Sequence, residues 1–127
     1  MARKYTLRKN PVAEIEIDGE PYEVQLGNLS FAVEVAKWER SLRGIASGEV
    51  GREELVSVFG RLADEGRELV ASLVGDAAAE ELVGGRNALN FYRLIDVVRI
   101  LADVVSGEES MEAMRAVSAA PETADED

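Results

Sequence analysis

Residues 13–26 read AEIEIDGEPYEVQL, and this stretch decides the fold class. The residues on both sides of Asp18-Gly19 alternate between apolar and polar types. Such alternation around an Asp-Gly pair predicts a β-hairpin closed by a two-residue turn. In the register that this turn sets, the apolar residues share one face and the opposed pairs are Ile17 with Glu20, Ile15 with Tyr22, and Ala13 with Val24.

A two-stranded hairpin is only marginally stable alone, so its apolar face must pack on helices or the hairpin must gain a third strand. Tyr5–Leu7 is the candidate for that strand because it lies just before the hairpin. Pro21 lacks an N–H group and therefore suits an edge position. We expect the hairpin to be the whole β part of the fold, with a third strand if Tyr5–Leu7 pairs.

Apolar residues at helical spacing fill the sequence after the hairpin. In the first predicted helix the apolar residues are spaced by four and three positions: Phe31, Val35, Trp38, Leu42 and Ile45. This spacing places them on one side of a helix, which Asn28 or Ser30 can cap. The sequence predicts further helices at about 52–74, 76–83 and 88–105, the last capped by Asn87. The expected fold is α+β and mostly α, a hairpin packed on a bundle of about four helices.

Three residues of these helices admit different interpretations. Trp38 lies on the buried stripe of its helix, which favours core packing over stacking on a ligand. Gly60 and Gly66 in the 52–74 helix either weaken that helix or permit a close crossing with another one. The apolar stripe of this helix consists of Leu55, Phe59, Leu62, Gly66, Leu69 and Leu73.

The last helix is more apolar than a surface helix requires. Its apolar residues spread over roughly 200° of the circumference, about twice the arc that an amphipathic surface helix buries. Two interpretations follow: the helix is central and wrapped by the others, or one flank is buried and the other is offered to a partner. The candidate protein-binding residues are Phe91, Val97, Ile100 and Val104, and the hairpin edge is a second candidate surface.

Length and composition limit the number of domains and the kinds of partner that we expect for this chain. The 127 residues suffice for one domain, at about 12–107, between a basic segment at 1–11 and an acidic segment at 108–127 that we expect to be mobile. The formal net charge of −11 disfavours nucleic acid as a partner. We expect no membrane partner and a cytoplasmic location, since there is neither a secretory signal nor a run of about 18 apolar residues.

The residue types also disfavour catalysis. Histidine and cysteine are both absent, which removes the commonest general base, the commonest metal ligand and every thiolate. Adjacent glutamates such as Glu53-Glu54 point about 100° apart on a helix and do not converge on one atom. We therefore expect a non-enzymatic protein with no metal and no cofactor.

The order of these elements resembles the tail assembly chaperones of long-tailed bacteriophages and prophages. The resemblance is carried by the hairpin around IEIDGEPYEV at 15–24, by residues 29–39 and by the helical remainder that closes on 91–105. It covers about residues 12–107 and is a pattern of lengths and residue types, without a signature motif.

The resemblance implies a protein of the bacterial host cytoplasm that binds the tape measure protein during virion assembly, with the tail tube protein as a second candidate partner. It also implies that a longer product can arise by ribosomal frameshifting, and it carries over no catalytic residue. The competing hypothesis is a small acidic oligomeric adaptor or regulatory module that uses the last helix to form a homo-oligomer.

Overall fold

The computed structural model describes residues 2–7, 11–28, 30–48, 51–108, 111–112 and 115. Most of the predicted acidic segment at 108–127 lies outside these residues, as do residues 1 and 8–10 of the basic segment. The elements are β1 (Val12–Ile17), β2 (Glu20–Gln25), α1 (Phe31–Ala46), α2 (Arg52–Val74), α3 (Asp76–Val83) and α4 (Phe91–Val105). The hairpin precedes the helices and packs against them, so the α+β, mostly α, fold class is confirmed.

The hairpin has the predicted register, with Ile17 opposite Glu20, Ile15 opposite Tyr22 and Ala13 opposite Val24. Both turn residues take positive φ, at 52° for Asp18 and 83° for Gly19. Two positive values match the primed turns whose twist suits antiparallel strands. On the apolar face of the hairpin Ala13, Tyr22 and Val24 are buried, whereas Ile15 and Ile17 are partly buried. Strand β2 lies against α2.

The predicted third strand is wrong for the described residues. Residues 2–7 have no regular secondary structure, and within the described chain the sheet consists of β1 and β2 alone. The side chains of Tyr5 and Leu7 are 79% and 88% exposed. The helices cover the apolar face of the hairpin, so its burial does not require another strand.

Trp38 and Gly66 fix the centre of the bundle. The Trp38 side chain is buried, and its Nε1–H donates to the Leu62 carbonyl of α2 at 2.8 Å. A Cβ atom at Gly66 would lie 2.9 Å from both Leu94 Cδ2 and Trp38 Cζ2. Gly66 therefore permits α1, α2 and α4 to approach closely, which was the second of the two interpretations of this glycine.

The last helix begins later than the sequence suggested. Residues 85–87 form a 3₁₀ turn, and α4 starts at Phe91 with Asn90 as its N-cap. The Asn90 Oδ1 accepts from the Arg93 N–H at 3.0 Å, so the cap predicted at Asn87 is wrong. None of the described helices is long and apolar enough to cross a membrane.

Arg93 joins the hairpin turn to the helices. Its Nε–H donates to the Leu82 carbonyl at the end of α3, and its Nη1 lies 3.4 Å from Asp18 Oδ2. Burial, together with the nearby Glu81 carboxylate, raises the pKa of Tyr22 on the inner face of the hairpin. The hairpin is thus held to the bundle by apolar packing and by one arginine at its turn.

Gly66→Ala should destabilise the protein by about 1 to 3 kcal/mol, because the added methyl group would overlap Trp38 and Leu94. The matched control is Gly60→Ala in the same helix, where an added Cβ meets nothing within 4 Å. There the better helix propensity of alanine should stabilise the fold by up to about 1 kcal/mol. Urea unfolding of both variants measures the difference, and equal effects would contradict the close crossing.

Candidate protein-binding groove

The wide apolar surface of α4 is divided between the core and a partly open flank. Leu94, Val97, Val98 and Leu101 are buried, and α4 contacts α1, α2 and α3. Phe91 and Ile95 are only partly buried and lie at one edge of the same apolar arc, next to Val98. The helix is therefore central, as the first interpretation held, and it also retains an apolar flank that the described part of the chain does not close over.

The structure does not bring the four predicted binding residues together. Phe91 and Ile100 lie about 180° apart on the helix, so they cannot belong to one surface. Ile100 is 38% exposed and lines a small cleft near the hairpin turn, while Val104 is half-buried against the core. Val97 is 2% exposed, so the prediction that it faces a partner is corrected: it is a core residue of the monomer.

An open apolar groove lies beside Phe91. It has a volume of about 540 Å³ and runs between α1, α2 and α4. We call it the α1–α2–α4 groove; its apolar lining consists of Leu42, Ile45, Ala46, Phe59, Phe91 and Ile95. Each helix supplies the part of its apolar stripe that the other helices leave uncovered.

Aromatic packing gives the groove a rigid floor. The Phe59 and Phe91 rings meet edge to face with their centroids 5.1 Å apart, and Phe91 also lies 6.3 Å from the Trp38 ring. Edge-to-face pairs at this separation are favourable arrangements of two aromatic quadrupoles. Because Trp38 is itself fixed to Leu62, the floor is tied to the best-packed part of the core.

The rim of the groove is polar and carries more positive than negative charge. It contains Arg43, Arg99, Glu39 and the ring of Tyr92, which is 83% exposed. Arg99 Nε lies 3.3 Å from Glu39 Oε2, which leaves Arg43 as the rim cation without an ion-pair partner among the described residues. A net positive rim is unusual on a chain whose net charge is −11.

Sequence reasoning missed the contributions of α1 and α2 to this groove. Leu42, Ile45 and Phe59 lie on the predicted apolar stripes of their helices and were interpreted as core residues. The structure leaves all three partly exposed. The only sign of their role in the sequence is their position in α1 and α2, two helices that follow each other along the chain. Near the end of a helix, an apolar stripe can continue past the neighbouring helix that covers the rest of it.

The chemistry available at the groove is that of binding. Its apolar lining suits large aliphatic or aromatic side chains, and its arginines suit carboxylates. Among the described residues there is no cluster of three or more aspartates or glutamates positioned to hold a metal ion. Comparison of the chain with protein-family models, with curated proteins and with solved structures found no match.

Val97 is buried in the core and Ile95 lines the α1–α2–α4 groove, so substitution by aspartate should have different effects at the two positions. Val97→Asp should cost more than about 3 kcal/mol, because it buries a carboxylate without a partner. Ile95→Asp, at the partly open groove, should cost about 1 kcal/mol, since the charge can reach water. Urea unfolding followed by circular dichroism tests both, and a folded, stable Val97→Asp variant would contradict the assignment of Val97 to the core.

Proposed function

We propose that this chain is a non-enzymatic tail assembly chaperone of a bacteriophage or prophage, which acts in the host cytoplasm and binds the tape measure protein through the α1–α2–α4 groove. The observation that carries the proposal is an open apolar groove with a positive rim on a strongly acidic body. The resemblance in the order of elements supplies the partner, and the groove supplies a means of binding it.

The occupant that fits the groove is an amphipathic helix. Helices that bind in grooves insert apolar side chains from successive turns, and three surrounding helices form a suitable trough for them. A volume of about 540 Å³ accommodates a few large side chains. A few such anchors supply most of the binding energy of a typical interface.

The rim adds a preference for negative charge beside the anchors. Arg43 and Arg99 flank the apolar lining, and a carboxylate on the bound helix would pair with Arg43 without breaking the Arg99–Glu39 contact. Rim charges act chiefly on the association rate and on specificity. The expected target is therefore a segment of the tape measure protein with an apolar face and an acidic flank.

The net charge of the body explains how such a complex would stay dispersed. Long apolar helices self-associate when they are exposed, and a chaperone must cover their apolar side and also prevent the complexes from coming together. Away from the groove rim the body is acidic, so bound complexes repel each other. In the proposed function the positive rim of the groove attracts the partner, whereas the acidic remainder of the surface keeps the bound complexes apart.

The direct test measures binding of the full chain to purified tape measure segments from the same genome by isothermal titration calorimetry. Ile45→Glu and Ile95→Glu should each weaken binding at least about tenfold, because each places a carboxylate in the apolar lining. The control is Val33→Glu, an exposed residue about 180° around α1 from Leu42, which should change the affinity less than about twofold.

Circular dichroism must first show that all three variants are folded. If the chain binds no tape measure segment, or if Val33→Glu weakens binding as much as Ile95→Glu does, the proposal is wrong. Loss of self-association in Ile95→Glu, with no tape measure binding by the unsubstituted chain, would favour the oligomeric adaptor instead.

The charge preference has its own test. Arg43→Glu should weaken binding of an acid-flanked segment and make the remaining affinity less sensitive to salt, because it removes the rim attraction. Arg40→Glu makes the same charge change on the exposed side of α1, away from the groove lining, and should have little effect. Titrations at low and high ionic strength compare the two, and equal losses would mean that only the overall charge matters.

A further inference from the structure

The outer edge of β1 carries backbone groups that no strand of the described chain pairs with. The Leu26 N–H donates to the Pro11 carbonyl at 2.9 Å, so these residues form a hydrogen-bonded pair of the antiparallel ladder. Bonded and non-bonded pairs alternate along such a ladder, and the non-bonded positions of β1 are Val12, Glu14 and Glu16. These three residues direct their N–H and C=O groups away from β2, towards the outer edge.

The two faces of β1 differ sharply in character. The inner face presents Ala13, Ile15 and Ile17 to the core. The outer face presents Glu14 and Glu16, and Glu14 lies directly opposite Glu23 of β2. Like charges at opposed positions are destabilising, and no ion pair within the described residues relieves these glutamates. A strand that suits this edge would have apolar residues on one face and cations on the other.

The N-terminal arm, which we define as residues 2–7, has this pattern. Tyr5 and Leu7 alternate with Lys4 and Thr6, so that an extended arm has an apolar face and a face that begins with a cation. In the structure the arm is irregular, and both of its apolar side chains are exposed, so it packs against no element among the described residues of the monomer.

The arm does not pair with the β1 edge of its own chain in the structure. Residues 2–7 have no regular secondary structure, and the side chains of Tyr5 and Leu7 remain exposed. The same arm on a second copy is therefore the candidate strand for this edge.

The arm of a second copy matches the edge in both its apolar pattern and its charge. An antiparallel register exists in which every pair agrees in character or in charge: Tyr5 with Ile15, Leu7 with Ala13, Thr6 with Glu14, and Lys4 with Glu16. The relation is unchanged when it is read from the other copy, so one register seats both arms at once. Such an interface is isologous, because the same two segments meet twice across a two-fold axis.

We propose that the chain forms a homodimer by arm exchange, in which residues 4–7 of each copy pair with the outer edge of β1 of the other. The backbone of the edge supplies the hydrogen bonds, the Lys4–Glu16 pairs supply charge complementarity, and Tyr5 and Leu7 lose their exposure to water. This interface is separate from the α1–α2–α4 groove and does not depend on the proposed function.

A charge swap tests the register by sedimentation velocity over a concentration series. Lys4→Glu should raise the dimer dissociation constant on the order of tenfold, because two attractive pairs become repulsive. The double variant Lys4→Glu/Glu16→Lys restores opposite charges and should recover the dimer. Lys37→Glu makes the same charge change on the exposed side of α1 and should leave the dimer unchanged.

A backbone test removes one ladder bond from each arm. Thr6 faces Glu14, a position that directs its N–H and C=O outward, so Thr6→Pro should abolish the dimer whereas Thr6→Ala should retain it. In the unsubstituted protein, amide exchange at Glu14 and Glu16 should slow as the concentration rises, and exchange in the groove should not.

Three outcomes would overturn the proposal. In the first, the protein stays monomeric at all concentrations up to about 1 mM. In the second, a dimer forms but Thr6→Pro and Lys4→Glu leave it intact. In the third, Ile95→Glu abolishes the dimer and the arm variants do not. The last result would assign self-association to the groove. Tape measure binding that persists in the arm variants would leave the proposed function untouched, so failure of either proposal is recognised separately.

Discussion

The packing of Trp38 against Gly66 is the constraint on which the rest of the structure depends. The indole is buried between α1, α2 and α4, and the space it occupies exists because residue 66 has no side chain. Its N–H group is satisfied by the Leu62 carbonyl, so the buried ring leaves no polar atom without a partner. Three helices therefore cross at one point, and the directions in which they diverge determine where apolar surface remains uncovered.

The α1–α2–α4 groove is a consequence of that divergence. Phe91 contacts Trp38 on one side and Phe59 on the other, so the floor of the groove is the outward continuation of the central packing. Beyond it the end of α1 and the start of α2 present Leu42, Ile45 and Phe59 without a further layer over them. A binding surface built in this way is held rigid by the core, which lowers the entropy lost when a partner binds.

Local patterns predicted the elements, and distant contacts decided what the patterns could not. The hairpin register followed from Asp18-Gly19 because a two-residue turn leaves one way to align its strands. The bounds of α2 and α3 were predicted correctly because glycines bracket both helices. The start of α4 was placed three residues early, since Asn87 and Asn90 are equally good caps by sequence and the 3₁₀ turn between α3 and α4 selects the second.

The sequence predicted that α4 contributes to the candidate site, but it did not predict which residues of α4 do so. Periodicity showed that α4 has more apolar circumference than one face requires, but it gives no information about which neighbour covers which arc. Val97 and Ile95 are equally apolar in sequence, yet the first is enclosed by the bundle and the second opens onto the groove. The arm shows the same limit, since the alternation at Tyr5–Leu7 indicates a strand but gives no information about which edge that strand pairs with.

Positive charge lies beside exposed apolar residues at two surfaces, the α1–α2–α4 groove and the N-terminal arm. The cations at the groove lie where an apolar lining is open, and the cations of the N-terminal arm accompany its exposed apolar residues, whereas the exposed face of β1 is acidic. At these two surfaces exposed apolar residues thus lie beside positive charge, although the chain as a whole has a net charge of −11. An acidic surface repels its own copies unless a cation is brought to it, which favours close approach where arginine or lysine lies beside apolar side chains.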